Sequence, residues 1–248
     1  MTLKIKEMNF FGSRLHVSNN QIGLYPFFIS AEFRTGINFL TGGLHECGAG
    51  LSYVLCKGQL SSGKYCVDKV GKNGHCTEIC LDDKIITLKQ LQQITYYIAG
   101  EDKRKRFFKG HHGKTVIKHL QIAEKKRRID INEIINTFDL DDRVYRKISS
   151  LSGNRYRYST AIGIAYGKKI LCYPWFSYDE LHCVEFLFSV LSKMAKENNL
   201  IIIVPVENVD LFKDKFSYNE IVMRNLNLIY ANGGILYASE INNYTISE

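Results

Sequence analysis

The sequence predicts an α/β fold in which an antiparallel β subdomain, a helical subdomain and a parallel sheet core follow one another within a single domain, 1–248. Three observations lead there. Short β-type runs broken by Asn, Gly and Arg-Thr-Gly turns fill residues 2–41. Apolar spacing changes to the helical period near Thr87, and two continuous apolar runs, KKILCYP and NLIIIVPV, flank a long amphipathic segment.

The first β runs are LKIKEMNFF, RLHVS, YPFFISAEF and INFLT, separated as hairpin strands would be. A glycine-rich loop follows, and LSYVLCKGQL continues as a helix before GKYCVDKV and TEICLDD resume strands. The helical subdomain, approximately 87–160, holds TLKQLQQITYYIA, KTVIKHLQIAEKKRR and DINEIINTFDL, each with 3.6-type apolar spacing. KKILCYP and NLIIIVPV read as strands buried on both faces of a parallel sheet, because neither alternates with polar residues. Between them SYDELHCVEFLFSVLSKMAKENN is the crossover helix of a strand, helix, strand unit. Near the C-terminal end, Asn232-Gly233-Gly234 between two apolar runs predicts a hairpin, since glycine adopts positive φ at little cost.

Composition narrows the class. Hydrophobic residues make up 45% and there are only 3 prolines, which suits a packed core rather than disorder. No apolar run approaches the ~20 residues a membrane-spanning helix needs, and MTLKIKEMNFFGSRLHV lacks a signal-peptide core, so the expectation is a cytosolic chain, at most peripheral to a membrane. Seven cysteines, an odd number partly placed in apolar runs, read as reduced thiols. Cys66, His75, Cys76 and Cys80 gather in YCVDKVGKNGHCTEICLDD, but without paired CxxC knuckles they read as ordinary thiols ahead of a zinc site. The net charge of +8 is concentrated in EDKRKRFFKGHHGK (101–114) and EKKRRID (124–130), which read as a solvated helical face ahead of a ligand surface. No nucleic-acid-binding module accompanies them.

Two stretches carry chemistry. INFLTGGLHECGAGLSYVL, 37–55, reads as a strand, a phosphate-cradling loop and a helix, with Leu51 where such a loop needs lysine. SSLSGNRYRYSTAIGIAYGKKILCYPWFSYDE, 149–180, follows the helical part. In their order along the chain the two resemble the nucleotide-binding domain of ABC transporters. CGAGLS resembles that family's NGAGKS, LSGNRYR resembles LSGGQRQR, ILCYPWFSYD sits where ILLDEPTSGLD would, and GQLSSGKYCV is similar to the sheet segment after the first helix. The resemblance spans nearly the whole chain and implies a P-loop NTPase-like ABC ATPase fold.

What the resemblance implies for each site is uneven. Gly48, Ala49, Gly50, Leu51 and Ser52 form a phosphate loop without its lysine, and Gly42 is the first glycine only if the loop holds a two-residue insertion. Cys172 and Tyr173 stand for the Walker B aspartate and glutamate, the switch histidine falls near Val206, and Glu101 stands for the glutamine of its loop. A neutral thiol is a poor Mg²⁺ ligand, and a phenol titrating near ~10 is no base at neutral pH. Leu151, Ser152 and Gly153 keep a signature loop's donors at a helix N-terminus, Asn154 replaces its second glycine acceptably if φ is negative, and Asp179 takes the Asp-loop position on a dimer seam. Either Phe10 or Phe11 could stack on adenine, though core packing suits both.

The resemblance therefore implies a catalytically silent subunit that pairs with an active ABC ATPase subunit and docks on a transmembrane permease subunit. ATP and Mg²⁺ would be shared at the dimer site, with none held tightly by this chain's own loop, at the inner face of the cell membrane. Docking in that family uses the region between glutamine loop and signature helix, where EDKRKRFFKGHHGK lies. Two other readings stay open: an active but atypical ABC ATPase in which Lys57 or Lys64 reaches the phosphates, and a non-transport regulatory or nucleic-acid-binding scaffold on the same fold.

Overall fold

The structure, a computed structural model, describes residues 1–15, 22–42, 48–57, 78–98, 114–223, 230–231 and 234–235. Strand β1 (Thr2–Leu15) pairs antiparallel with β2 (Ile22–Arg34) from Thr2 opposite Arg34 to Leu15 opposite Ile22. The two runs expected on either side of Gly12 are therefore one strand. Its only irregularity is a register shift between Ile5 and Met8, where Glu7 takes φ 53° and its N–H donates to Ser30 Oγ at 3.0 Å. On its other side β1 pairs with β4 (Glu78–Leu81), which turns back into β5 (Lys84–Ile85). The turn residues Asp82 and Asp83 both have positive φ, the twist that a two-residue hairpin turn requires.

The second sheet is wholly parallel, in the order β6-β7-β8-β3-β9. Its strands are β3 (Gly36–Thr41), β6 (Thr95–Tyr97), β7 (Ile170–Cys172), β8 (Ile201–Val206) and β9 (Tyr218–Val222). Helices α1 (Gly48–Lys57), α2 (Leu88–Ile94), α3 (Val116–Arg127), α4 (Ile131–Thr137), α5 (Arg155–Ala165) and α6 (Tyr178–Asn198) complete the core. Helix α6 is the crossover between β7 and β8 expected from the sequence. It opens on a capping box, Ser177 with Glu180, and closes at Asn199 in the left-handed region. The hairpin near the C-terminal end is present as β10 (Tyr230–Ala231) against β11 (Gly234–Ile235).

The helix read in TLKQLQQITYYIA ends earlier than its spacing predicts. TLKQLQQITYYIA is helical only to Ile94, and Thr95–Tyr97 form the edge strand beside β7. A β-branched residue and two aromatics in a row fit a pleated strand, and the Thr95 hydroxyl donates to the Leu55 carbonyl at 3.1 Å, which fixes the change of direction against α1.

The pleat sends alternate side chains of the parallel sheet into two apolar layers. Ile170, Cys172, Ile201, Ile203 and Leu40 face α1 and the antiparallel sheet. Leu171, Tyr173, Ile202, Val204 and Phe39 face α5 and α6. Asn38 lies fully buried where β2 turns into β3, its amide donating to the Arg34 and Gly36 carbonyls and its oxygen accepting from the Arg34 N–H at 2.9 Å. Among the described residues, no helix is long and apolar enough to cross a membrane.

Candidate functional site

The phosphate-loop position lies between the end of β3 and the start of α1; residues 43–47 are outside the described set. Helix α1 begins against the sheet. A Cβ at Gly48 would stand 3.1 Å from Pro205 Cβ and 3.4 Å from Leu40 Cβ, so a side chain there would need the sheet to give by a few tenths of an ångström. Ala49 and Gly50 are buried, and Leu51 and Ser52 have no exposed surface. Leu51 belongs to the layer that holds Leu40, Leu55, Ile170, Cys172 and Ile203. The Ser52 hydroxyl donates to the Tyr173 carbonyl at 2.5 Å. Leu51 and Ser52, which the sequence resemblance sets at the lysine and hydroxyl of a phosphate loop, are thus taken up by apolar packing and by the sheet backbone.

The end of β7 continues that layer. Cys172 is fully buried, and burial, helped by a hydrogen bond with Cys56, pushes its thiol well above its ordinary value, with Ser52 acting weakly the other way. It stays a neutral thiol. Tyr173 points to the opposite face, where its ring centroid lies 5.4 Å from that of Phe188. Its hydroxyl lies 2.6 Å from Thr160 Oγ1, and because Thr160 spends its own proton on the Tyr156 carbonyl, Tyr173 is the donor. Burial raises the phenol's pKa, so it is no base at neutral pH. Val206, at the switch-histidine position, is fully buried at the end of β8.

A residue that sequence reasoning passed over ties these two loops together. The Trp175 indole N–H donates to the Gly42 carbonyl at 3.0 Å, joining the segment after β7 to the start of the phosphate loop. As the only tryptophan in the chain, it offers a fluorescent reporter of that loop.

The signature region has a different character. Leu151 is buried and anchors it, whereas Ser152 and Gly153 are exposed. Ser152 takes φ 45° in a short 3-10 turn, and a Cβ at Gly153 would meet nothing within 4 Å. Asn154 has φ −75°, so the side chain that replaces a second glycine costs no strain. Helix α5 starts immediately after, with no side-chain cap on its first N–H groups. In front lies an open depression of about 300 Å³ lined by Arg143, Arg146, Ser150, Ser152, Gly153 and Cys183. Asp179, exposed in the first turn of α6, stands one turn before Cys183, whose thiol faces the Asp179 carbonyl at 3.8 Å. The structure therefore brings the Asp-loop position within one helical turn of the signature depression.

Asp141 fixes one of its arginines. Its carboxylate accepts from the Arg143 guanidinium and, at 2.5 Å, from the buried Tyr158 hydroxyl. The Arg143 bonds first, and the Tyr158 bond second, hold that carboxyl well below the usual carboxylate range. A depressed pKa stabilises the fold above the unfolded value of about 4, and that contribution fades as pH falls towards the folded value. Asp141→Asn should therefore lower the urea midpoint at pH 7, with the difference from wild type narrowing between pH 5 and pH 2; a pH-independent difference would contradict this.

Several sequence candidates lie outside the described residues: Glu101, the basic run 101–113, Lys64, Cys66, His75, Cys76 and the side chains of Phe10, Phe11 and Lys57. Cys80 is half-buried, its thiol donating to Glu78 at 3.2 Å. Among the described residues no group of three His, Cys, Asp or Glu could hold a metal ion.

No protein-family model matches the sequence, and no protein of curated function is significantly similar to it. Solved structures do match. cbiO1 from Clostridium perfringens, part of the ABC transporter complex cbiONQ, is similar with TM-score 0.54 and 16% identity over 89% of this chain and 83% of that chain. The dimeric structure of a bacterial ABC transporter cassette gives TM-score 0.54 and 11% identity over 89% and 94%. An ATP-binding protein ascribed to an ABC transporter of Pyrococcus furiosus gives 0.52 and 13% over 90% and 98%. At these identities the likeness is one of fold, and the fold is that of ABC transporter ATP-binding subunits.

Proposed function

We propose that the chain is a catalytically silent ATP-binding-cassette subunit of an ABC transporter, which dimerises with an active ATPase subunit and docks on a membrane-spanning partner. The observation that carries this is the contrast between its two halves. On the phosphate-loop side Leu51 and Cys172 share a dry apolar layer and the Ser52 hydroxyl is bonded to the Tyr173 carbonyl. Among the described residues that half offers ATP with Mg²⁺ neither cation nor carboxylate. On the signature side the Ser152 hydroxyl, the Gly153 backbone and the Arg146 guanidinium border an open depression without an opposing acid on its lining. That half suits the phosphates of an ATP held by another subunit.

The roles follow from these chemistries. Ser152 and the backbone at Gly153 would donate to phosphate oxygens, and Asp179 would lie at the seam between subunits. Two copies of this chain would make two sites lacking a metal ligand and a base, so an active partner of different sequence is part of the proposal. ATP and Mg²⁺ belong to the shared dimer site, and the chain reaches the inner face of the membrane through the permease.

The test is Ser152→Arg, which fills the signature turn with a bulky cation while leaving the core untouched. The purified chain should hydrolyse no ATP alone and should stimulate its ATPase partner on mixing. The variant should lose at least ~100-fold of that stimulated turnover, the scale of removing a preorganised donor from a reacting phosphate. Unchanged turnover would sink the idea, and hydrolysis by the chain alone would return the argument to an atypical ATPase.

A further inference from the structure

Helix α3 carries a charge pattern that nothing within the described chain answers. Lys118, Gln121 and Lys125 fall within a sector about 60° wide on the helix, and the two lysines stand about 10 Å apart along its axis. Lys114, just before the N-cap Thr115, lines the same shallow depression of about 240 Å³, whose floor is Ile122. The opposite side of α3 is anchored in the core by Val116, Leu120 and Ala123, so the stripe is held facing outwards. No acidic residue stands three or four positions from Lys118 or Lys125. Among the described residues none of the three lysines is in an ion pair.

A like-charged row at helical spacing works against its own helix. Lys118 has Gln121 and Ile122 at i+3 and i+4, where a Glu would have been favourable. The last turn holds Lys125, Lys126 and Arg127, the cations expected of a C-terminus, and Lys118 adds one more towards the start, with Lys114 just before the N-cap. Long lysine stems beside a half-buried isoleucine are side chains that settle at the headgroup level of a bilayer.

We propose that this face of α3 is an interaction surface for anionic lipid headgroups. A straight helix meets a plane along one stripe, and this stripe is cationic, amphipathic and, among the described residues, without a counter-charge. The choice of a lipid surface over another polyanion rests on the transporter-subunit reading above, which brings the chain to a membrane.

The test uses the full chain with no permease or ATPase partner present. Vesicles of phosphatidylcholine with about 30% phosphatidylserine, and vesicles of phosphatidylcholine alone, are sedimented with it at 0.1 M and 0.5 M salt. The chain should partition onto the anionic vesicles only and be released at high salt. Each lysine brought near such a surface contributes about fivefold in partition, so Lys118→Glu with Lys125→Glu should lose about 25-fold or more. Lys193→Glu with Lys196→Glu changes the net charge equally from exposed positions on α6 and should lose far less. Equal loss in both pairs, or no binding to anionic vesicles, would overturn the proposal. Tighter binding to a DNA duplex at the same salt, abolished by the α3 pair, would replace lipid by nucleic acid. None of these outcomes touches the stimulated-ATPase test of Ser152, so the two readings fail separately.

Discussion

Leu51→Lys, which writes the missing lysine back into the phosphate loop, is expected to lower the stability of the chain by about 4 kcal/mol and to restore no ATP hydrolysis. Leu51 has no exposed surface, and its layer holds Leu40, Leu55, Ile170 and Ile203. Removing a buried leucine costs roughly 2–5 kcal/mol through lost transfer energy and the space left behind. An ammonium in the same place adds a desolvation penalty of several kcal/mol unless it gives up its proton or finds a partner. Cys172, in the same layer, is held as a neutral thiol by burial and offers none. Urea unfolding measures the loss, and Leu51→Met, which conserves volume, should stay within about 1.5 kcal/mol of wild type. A lysine variant as stable as wild type, or one whose Trp175 emission responds to ATP with Mg²⁺, would show that the site retains room for phosphate.

Tyr173→Glu is the companion experiment, since it supplies the missing carboxylate. The new group would lie among Phe176 and Phe188, within reach of the Thr160 hydroxyl. Burial would raise its pKa, so the carboxyl should be neutral in the folded chain at low pH and forced to ionise as pH rises. In linkage terms the folded state binds the proton more tightly than the unfolded state, so stability should fall as pH climbs above about 4.3 towards the raised value. The expected loss is about 4 kcal/mol at pH 8 and visibly less at pH 5. Tyr173→Phe should cost only about 1 kcal/mol, because the Thr160 hydroxyl keeps its bond to the Tyr156 carbonyl. Equal urea midpoints for the glutamate variant across that pH range would mean that its carboxyl reaches water.

Much of the architecture is legible in sequence wherever one physical signal dominates. Continuous apolar runs mark β7 and β8 because both faces of the sheet are covered, and the capping box at Ser177 marks the start of α6. The signal fails where two signals overlap. Thr95–Tyr97 follow a helix without a glycine or proline break, and periodicity alone cannot separate three strand residues from the end of the helix before them. Strand β9 escapes for another reason. Its residues Tyr218, Asn219, Glu220, Ile221 and Val222 are mostly half-exposed at the sheet edge, so they carry no continuous apolar run. At the candidate site the identities of Leu51, Cys172 and Tyr173 are plain in sequence, but which layer each side chain enters is set by the pleat of β7 and the docking of α1. The roles of Trp175 and Arg143 depend on contacts to Gly42 and Asp141 that no local pattern announces.

The place of β3 in the sheet has a consequence for synthesis. Its two sheet neighbours are β8 and β9, so a strand finished at Thr41 finds its first partner at Ile201. On a ribosome adding roughly 5–20 residues per second, that partner emerges about 10–30 s later. During the interval the apolar strand has neither of its sheet neighbours, and the ordering cost of so distant a pairing comes before any of its gain. The nascent chain should therefore be a chaperone client until α6 has been made, and release from the ribosome before β8 should leave a species that aggregates rather than a smaller folded domain.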